Sequence, residues 1–182
     1  MGGLTTLVKG FPGKPSHPPL TDASIGAYTV GVAMLVLGAA GVEETEMAHG
    51  ALLAISGGLI VALPTAVTGL LDWLDIPAGT PAKRVATAHL VAMVTATILF
   101  ALTWFAHQDG YDDGEVDTAA WLLGAAAEVV LTAGGYLGGT IVFVYGLRVL
   151  GRRETPVRDA LVPGAAAPPS TADPVPEERA AP

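Results

Sequence analysis

Four long stretches of the sequence carry almost no charge, and this limits the chain to a small number of folds. They cover residues 23–42, 47–71, 85–108 and 118–147, and Glu128 in the last is the only Asp, Glu, Lys or Arg that they contain. About 20 apolar residues are enough for a helix to cross a bilayer, where every backbone N–H and C=O must be paired within the protein. The sequence therefore predicts an all-α protein, a four-helix transmembrane bundle with up-down-up-down topology.

The rest of the composition agrees with a membrane protein and excludes several classes of function. Only 14% of the 182 residues are charged, against about 25% in an ordinary soluble domain. A net charge of -8 with nine Lys and Arg residues offers no basic surface for a nucleic acid. The absence of cysteine excludes disulfides, thiolate metal sites and cysteine-bound iron–sulphur clusters. We therefore expect the lipid bilayer as a partner, and no nucleic acid.

The uncharged stretches divide the chain into three predicted parts. Residues 1–20 form a Pro- and Gly-rich lead-in, residues 21–150 form the transmembrane domain, and residues 151–182 form a tail rich in Pro, Ala and Glu that we predict to be disordered. The predicted helices run from Asp22 or Ser24 to about residue 41, from 47 to 74 with a kink at Pro64, from 82 to 107, and from 118 to 150.

The basic residues predict how the chain is oriented in the membrane. They precede the first helix, separate the second from the third and follow the fourth, whereas the other two loops hold only acidic charges. Because Lys and Arg are retained on the inner side, we expect a multi-pass protein of the inner (plasma) membrane with both termini in the cytoplasm. The ring of Tyr28 is expected near this inner interface. Eight of the nine Lys and Arg residues define this pattern, namely Lys9, Lys14, Lys83, Arg84, Arg148, Arg152, Arg153 and Arg158.

Small residues that recur at helical spacing indicate which faces pack inside the bundle. On the fourth helix this row consists of Gly124, Glu128, Gly135, Gly139 and Gly146. On the second helix a similar row consists of Gly50, Ala54, Val61, Thr65, Thr68 and Asp72. Glu128 and Asp72 are therefore expected to point into the protein, where a carboxyl group is less costly than in lipid.

Three polar residues are predicted to meet near the inner ends of the helices. His89 lies about two turns into the third helix, near the depth of Asp72 on its antiparallel neighbour, and we expect a hydrogen bond between them. His17, just before the first helix, can reach the same region. This pattern suggests a site at which His17 and His89 bind a metal or haem iron, or relay a proton. The alternative is a structural hydrogen-bond cluster.

Two further residues have both a functional and a structural interpretation. His107 shares a helix face with His89 five turns away, which suggests a second haem, but its place at the end of the helix favours a solvated interface. Glu128 is an intramembrane carboxyl group and suggests a proton or ion pathway together with Asp72. Its alternative role is a hydrogen bond to Thr132 or to a neighbouring helix.

Four short motifs together resemble a known family. They are the segments GKPSHPPLTD at 13–22, GLLDW at 69–73, AH at 88–89 and GYLGG at 135–139. In order and spacing they resemble a bacterial four-helix membrane domain of unknown function, common in actinobacteria and sometimes found ahead of a Rieske iron–sulphur domain. The resemblance covers about residues 12–150 and implies redox proteins as partners. It implies shared polar positions at His17, Asp22, Asp72 and His89. Thr140 stands where it implies a further histidine, so a ligand from the fourth helix is missing.

Three hypotheses about function follow from these residues. The first is a redox-associated membrane subunit that holds haem b or a quinone near His17, Asp72 and His89 on the cytoplasmic side. The second is a proton or metal-ion pathway that uses Glu128 and Asp72, and the third is a scaffold that only packs against partner proteins. The sequence has no phosphate-binding glycine loop, no G-x-S-x-G elbow and no H-E-x-x-H motif, so an enzyme is not favoured. The sequence gives no indication of the oligomeric state.

Overall fold

The computed structural model of the protein describes residues 3–11, 13–150 and 156–163, with side chains from residue 6 onward. Within these residues the fold is helical apart from one short antiparallel hairpin. The elements in chain order are α1 (Gly3–Lys9), β1 (Gly10–Phe11), β2 (Lys14–Pro15), α2 (His17–Ala39), α3 (Glu44–Asp75), α4 (Pro81–Ala106), α5 (Gln108–Asp113), α6 (Thr118–Phe143) and α7 (Val157–Leu161). The predicted all-α architecture with four long helices is confirmed.

The helices α2, α3, α4 and α6 are each long and apolar enough to cross a membrane. Their outward side chains are apolar, as Ile60 and Leu63 on α3 and Phe105 on α4 illustrate. Their inward side chains include polar groups, among them the buried Thr65 and Thr103. A soluble bundle has the opposite distribution, so the structure is that of a bundle whose outer surface faces lipid.

The four long helices pack as two pairs, α2 against α3 and α4 against α6. The pairs meet through contacts of α2 with α6 and of α3 with α4, so that each helix has two neighbours. Only residues 76–80 separate α3 from α4, and a connection this short makes the two helices antiparallel neighbours. This arrangement is the predicted up-down-up-down bundle.

The centre of the bundle is formed by an aromatic stack. The rings of Tyr28 on α2 and Phe100 on α4 are parallel, with centroids 3.9 Å apart, and both side chains are fully buried. The prediction that Tyr28 lies at the membrane interface is therefore wrong. Gly58 on α3 makes room for the ring, because a Cβ atom at that position would lie 2.6 Å from Tyr28 Cδ1. The stack thus joins three of the four long helices.

Two helix ends differ from the prediction for reasons visible in the backbone. The first long helix begins at His17, because Pro18 and Pro19 occupy its first turn, where the missing N–H groups have no helical partner to lose. The fourth ends at Phe143 and not near residue 150. Gly146 and Arg148 follow with φ of 65° and 62°, a left-handed conformation that a helix cannot contain.

The small-residue row on α6 faces the bundle only in part. Gly124 is buried as predicted, and a Cβ there would lie 3.2 Å from Leu35 on α2. Further along, Gly134 and Gly138 contact α4, whereas a Cβ on Gly135 would meet nothing within 4 Å. From Ala120 to Gly134 the buried positions of α6 are spaced three or four residues apart. The placement of Gly135 on an inner face is therefore wrong.

The predicted tail is only partly described. Its residues Val157–Leu161 form the short helix α7, in which Arg158 pairs with Asp159. Arg152 and Arg153, which we assigned to the inner side, lie outside the described residues. The division into a lead-in, a transmembrane domain and a tail stays a prediction.

Adjacent glycines on α3 give a direct test of the central packing. Gly58→Ala is expected to lower the free energy of unfolding in detergent by about 1 to 3 kcal/mol, because the new methyl group meets the Tyr28 ring. The midpoint of thermal unfolding should fall accordingly. Gly57→Ala is the matched control, since a Cβ at Gly57 meets no atom within 4 Å. Equal unfolding midpoints for the two variants would contradict the position of Tyr28.

Candidate functional site

His17 lies in the first turn of α2 and is held against α3. Its Nδ1 donates a hydrogen bond to the backbone carbonyl of Thr65 at 3.1 Å and lies 3.3 Å from Thr68 Oγ1. The imidazole packs on Gly69, where a Cβ atom would lie 2.6 Å from His17 Cε1. The ring can therefore reach the α3 backbone only because residue 69 has no side chain.

His89 on α4 has an equivalent environment on the neighbouring helix α6. Its Nδ1 donates to the backbone carbonyl of Gly134 at 2.8 Å. The ring packs on Gly138, where a Cβ would lie 3.1 Å from His89 Cε1. His89 makes no hydrogen bond with Asp72, so the expected pair is wrong. The packing of α4 on α6 instead places the Gly134 carbonyl oxygen within hydrogen-bond distance of the imidazole.

Asp72 is paired with basic residues from both ends of the described chain. Its Oδ1 accepts from Nε of Arg148 at 2.9 Å and also from Nη2 of that guanidinium. Lys9 Nζ lies 3.8 Å from the same oxygen, donates to the Leu71 carbonyl at 3.2 Å and forms an ion pair with Asp75. Lys9 and Asp72 are each only 7% exposed. The carboxylate that we expected to orient an imidazole thus closes the end of the bundle at which α3 ends.

Arg148 reaches Asp72 because the chain turns sharply after α6. The turn ends the helix at Phe143, and the left-handed φ of 62° at Arg148 redirects its side chain across the end of the bundle. This conformation is unfavourable for a residue with a side chain. The hydrogen bonds to Asp72 offset that cost. A positive charge after the last helix was visible in the sequence, but its partner was not.

The structure places His17, Asp72 and His89 at the same end of the bundle. His17 is within electrostatic range of both other residues. Asp22, the remaining position implied by the resemblance, is exposed on α2. Because a carbonyl oxygen can only accept, Nδ1 of each imidazole carries a proton, which in the neutral ring leaves a lone pair on Nε2. The arrangement therefore offers nitrogen donors from two separate helices, and Nε2 of His17 lies 3.5 Å from Thr21 Oγ1.

A row of hydroxyl groups lies next to His17, and the sequence did not predict that they bond to one another. Ser24 Oγ on α2 lies 3.3 Å from Thr65 Oγ1 on α3, and both side chains are buried. Thr65 Oγ1 also donates to the Val61 carbonyl at 2.7 Å, and Thr68 Oγ1 donates to that of Pro64 at 3.0 Å. The Ser24–Thr65 bond joins α2 to α3, and the two bonds to carbonyl groups lie within α3, where lipid would offer the hydroxyl groups no partner. The row of Thr65, Thr68 and Asp72 was the signal for it.

His107 lies at the opposite end of the bundle and is completely buried. Its Nε2 donates to the Ala48 carbonyl at 3.0 Å, and its Nδ1 lies 3.5 Å from a carboxylate oxygen of Asp117. The expected solvated interface is therefore wrong, because α5 and the start of α6 fold back over the ring. A second haem ligand at this position has no support either, since the Nε2 atom is engaged with the backbone.

Glu128 lies on α6 next to α2. Its Oε1 accepts a hydrogen bond from Thr29 Oγ1 at 2.9 Å, and its Oε2 is buried with no partner among the described residues. The expected bond to a neighbouring helix is present, whereas the one to Thr132 is not formed. Glu128 and Asp72 share no hydrogen-bonding residue in the described part of the chain. The two carboxyl groups thus belong to separate environments.

A double-mutant cycle tests which residue Asp72 contacts. Asp72→Asn and Arg148→Gln are expected to be coupled by about 0.5 to 3 kcal/mol in the free energy of unfolding in detergent, because each removes the same buried bond. Asp72→Asn and His89→Ala, in contrast, are expected to add within about 0.5 kcal/mol, and serve as the matched control. Coupling of Asp72 to His89 and not to Arg148 would refute this geometry.

Comparison with known proteins assigns a family to the chain. The family described as "Predicted membrane protein (DUF2231)" matches residues 13–151. This match includes the four long helices together with His17, Asp72, His89 and Glu128. No curated protein and no solved structure matches the chain. The chain belongs to the DUF2231 family of membrane proteins.

Proposed function

We propose that this protein is a redox-associated membrane subunit that binds haem b through His17 and His89. The observation that carries the proposal is the shared environment of the two rings. Each donates from Nδ1 to a helix carbonyl, at 3.1 Å and 2.8 Å, and each packs on a glycine. Histidines that ligate metals have this arrangement, in which the bond at one nitrogen orients the ring and raises the basicity of the other.

The donor set suits haem better than a bare metal ion. The described residues contain no group of three or more His, Cys, Asp or Glu side chains that could surround an ion. A porphyrin brings four equatorial nitrogens of its own and needs only axial ligands from the protein. The chain has no cysteine, so covalent attachment through thioether bonds is excluded and the non-covalent b type is the one that fits.

The residues around the two imidazoles have defined tasks under this proposal. The carbonyl groups of Thr65 and Gly134 orient the rings, and Gly69 and Gly138 allow the close approach of the rings to the helices. Lys14 and Arg84 are exposed on segments at this end of the bundle and offer positive charge to the acidic side chains of haem. Bound haem would supply one-electron transfer.

The alternatives have less support. A proton or metal-ion pathway through Glu128 and Asp72 would need a polar connection, and these residues have no common partner among those described. An oxidised quinone bound by His17 and His89 would present carbonyl acceptors to two Nε2 atoms that are themselves acceptors, so only its reduced form could bond to both rings. A scaffold without a ligand would use these two bonds only to join α2 to α3 and α4 to α6, and it would give the Nε2 atoms no task.

Both termini are proposed to lie in the cytoplasm, with the haem site on the inner side of the plasma membrane. Lys9 and Arg148 contact Asp72 near the end of α3. Lys83, at the start of α4, donates a hydrogen bond to the carbonyl of Trp73 on α3. Basic residues from three separate segments therefore gather at one end of the bundle, which supports the inner assignment.

A reporter-fusion experiment tests the orientation. A reporter fused after Arg158 is expected to be active only in the cytoplasm, and one inserted at Gly114, which follows α5, is expected to be active only outside. The physical reason is the retention of Lys and Arg on the inner side. The reverse pattern of activity would refute the proposed orientation.

Absorption spectroscopy tests the ligand. The full chain, produced with added haem and purified in detergent, is expected to show a Soret band, and His17→Ala and His89→Ala are each expected to lower haem affinity at least about tenfold. His49→Ala is the matched control, because this ring lies against Tyr111 with a centroid distance of 4.8 Å and is remote from the site. No Soret band in the unaltered chain, or full binding by both variants, would refute the proposal.

A further inference from the structure

The side chain of Glu128 lies in a lipid-accessible groove between α2 and α6. Glu128 is ten residues from the start of α6 at Thr118, which places it about 15 Å along the helix and close to the middle of a 30 Å hydrocarbon layer. The groove has a volume of about 330 Å³ and is lined by Val32, Ala125, Glu128, Val129 and Thr132. Val129 at its edge is 71% exposed, so the groove opens to the lipid.

This groove differs in chemistry from the other outer surfaces of the bundle. The exposed large side chains of α3 include Leu53, Ile60 and Leu63, and those of α4 include Val91 and Ile98. The groove instead contains a carboxyl group whose Oε1 accepts from Thr29 at 2.9 Å. Its walls are otherwise small or β-branched. Ionisable residues within membrane-spanning helices are rare, and each is by default a candidate functional site.

We propose that the groove binds a lipophilic molecule of the quinone class, with the carboxyl group of Glu128 as its polar contact. The groove is entered from the lipid, so its ligand must dissolve in the membrane. Phospholipid head groups remain about 15 Å away at the interfaces, so the ligand must carry its polar group into the middle of the bilayer. A ring with carbonyl groups on an apolar body does this.

The chemistry of the carboxyl group favours the quinone class over other apolar ligands. A carboxyl group accepts hydrogen bonds when ionised and donates one when protonated. A quinone presents a carbonyl acceptor when oxidised and a hydroxyl donor when reduced, so Glu128 can contact either form. Thr132 Oγ1 at the groove adds a second hydroxyl group. This inference does not depend on haem, because no histidine lines the groove.

Photoaffinity labelling tests the proposal on the haem-free full chain in detergent. The probe is a benzoquinone with an azido group and a decyl chain, and the labelled peptides are identified by mass spectrometry. We expect labelling within residues 125–132, displaced by unlabelled decylbenzoquinone. Glu128→Leu removes the polar contact and is expected to lower the affinity about tenfold. Ser56→Ala is the matched control, because it removes an intramembrane hydroxyl on α3 that bonds to Trp104 at 2.7 Å.

A second variant separates loss of the site from loss of the fold. Ala125→Phe fills the groove and leaves Glu128 in place, so labelling should also fall about tenfold while the unfolding midpoint is retained. Labelling that is spread over other helices, or that survives both variants, would overturn the proposal. Displacement of the probe by phospholipid alone would overturn it, as would cross-linking of two copies of the chain through residues 125–132. The Soret band tests haem binding by His17 and His89, so failure of the quinone proposal and failure of the haem proposal can be told apart.

Discussion

Hydrocarbon neither donates nor accepts hydrogen bonds, and this constraint explains why most buried polar side chains of the bundle bond to groups inside the protein. Ser24, Thr65 and Thr103 bond to hydroxyl or carbonyl groups inside the protein, because an unpaired polar group in lipid costs several kcal/mol. Since lipid is as apolar as leucine, the helices gain little from burying apolar surface. Close packing therefore depends on glycines such as Gly58, which accepts the ring of Tyr28 against α3.

The same constraint explains the environment of the two candidate ligands. An imidazole inside a bundle must bond to a group already present, and the helix backbone offers carbonyl oxygens with an unused lone pair wherever a glycine opens access to them. His17 and His89 both use this solution, on α3 and α6 respectively. Asp72, which is within electrostatic range of His17, is paired with Arg148 and Lys9 at the end of the bundle. Each imidazole uses Nδ1 for the backbone carbonyl, which leaves Nε2 as the candidate ligand atom.

Charge and hydropathy were enough to predict the four long helices, their order and the position of basic residues at one end. They could not show the partners of the polar residues. The hydrogen bond from His89 depends on how α6 is rotated about its axis relative to α4. Gly134 and Gly135 are neighbours in sequence, but only Gly134 faces α4, and the sequence pattern did not distinguish them. Asp72 was correctly placed inside, but its partner Arg148 depends on a left-handed turn that no local pattern encodes. His107 is buried by a later segment, which helical periodicity alone does not reveal.

The central claim is that His17 and His89 are protonated at Nδ1 and unprotonated at Nε2. The chain has four histidines, so nitrogen NMR of the haem-free protein labelled with ¹⁵N-histidine can resolve each ring, with His17→Ala and His89→Ala providing the assignments. At a pH where the rings are neutral, both are predicted to show a protonated Nδ1 and an unprotonated Nε2. If either ring shows the proton on Nε2, its hydrogen bond to the helix carbonyl is absent and the account of the site is contradicted.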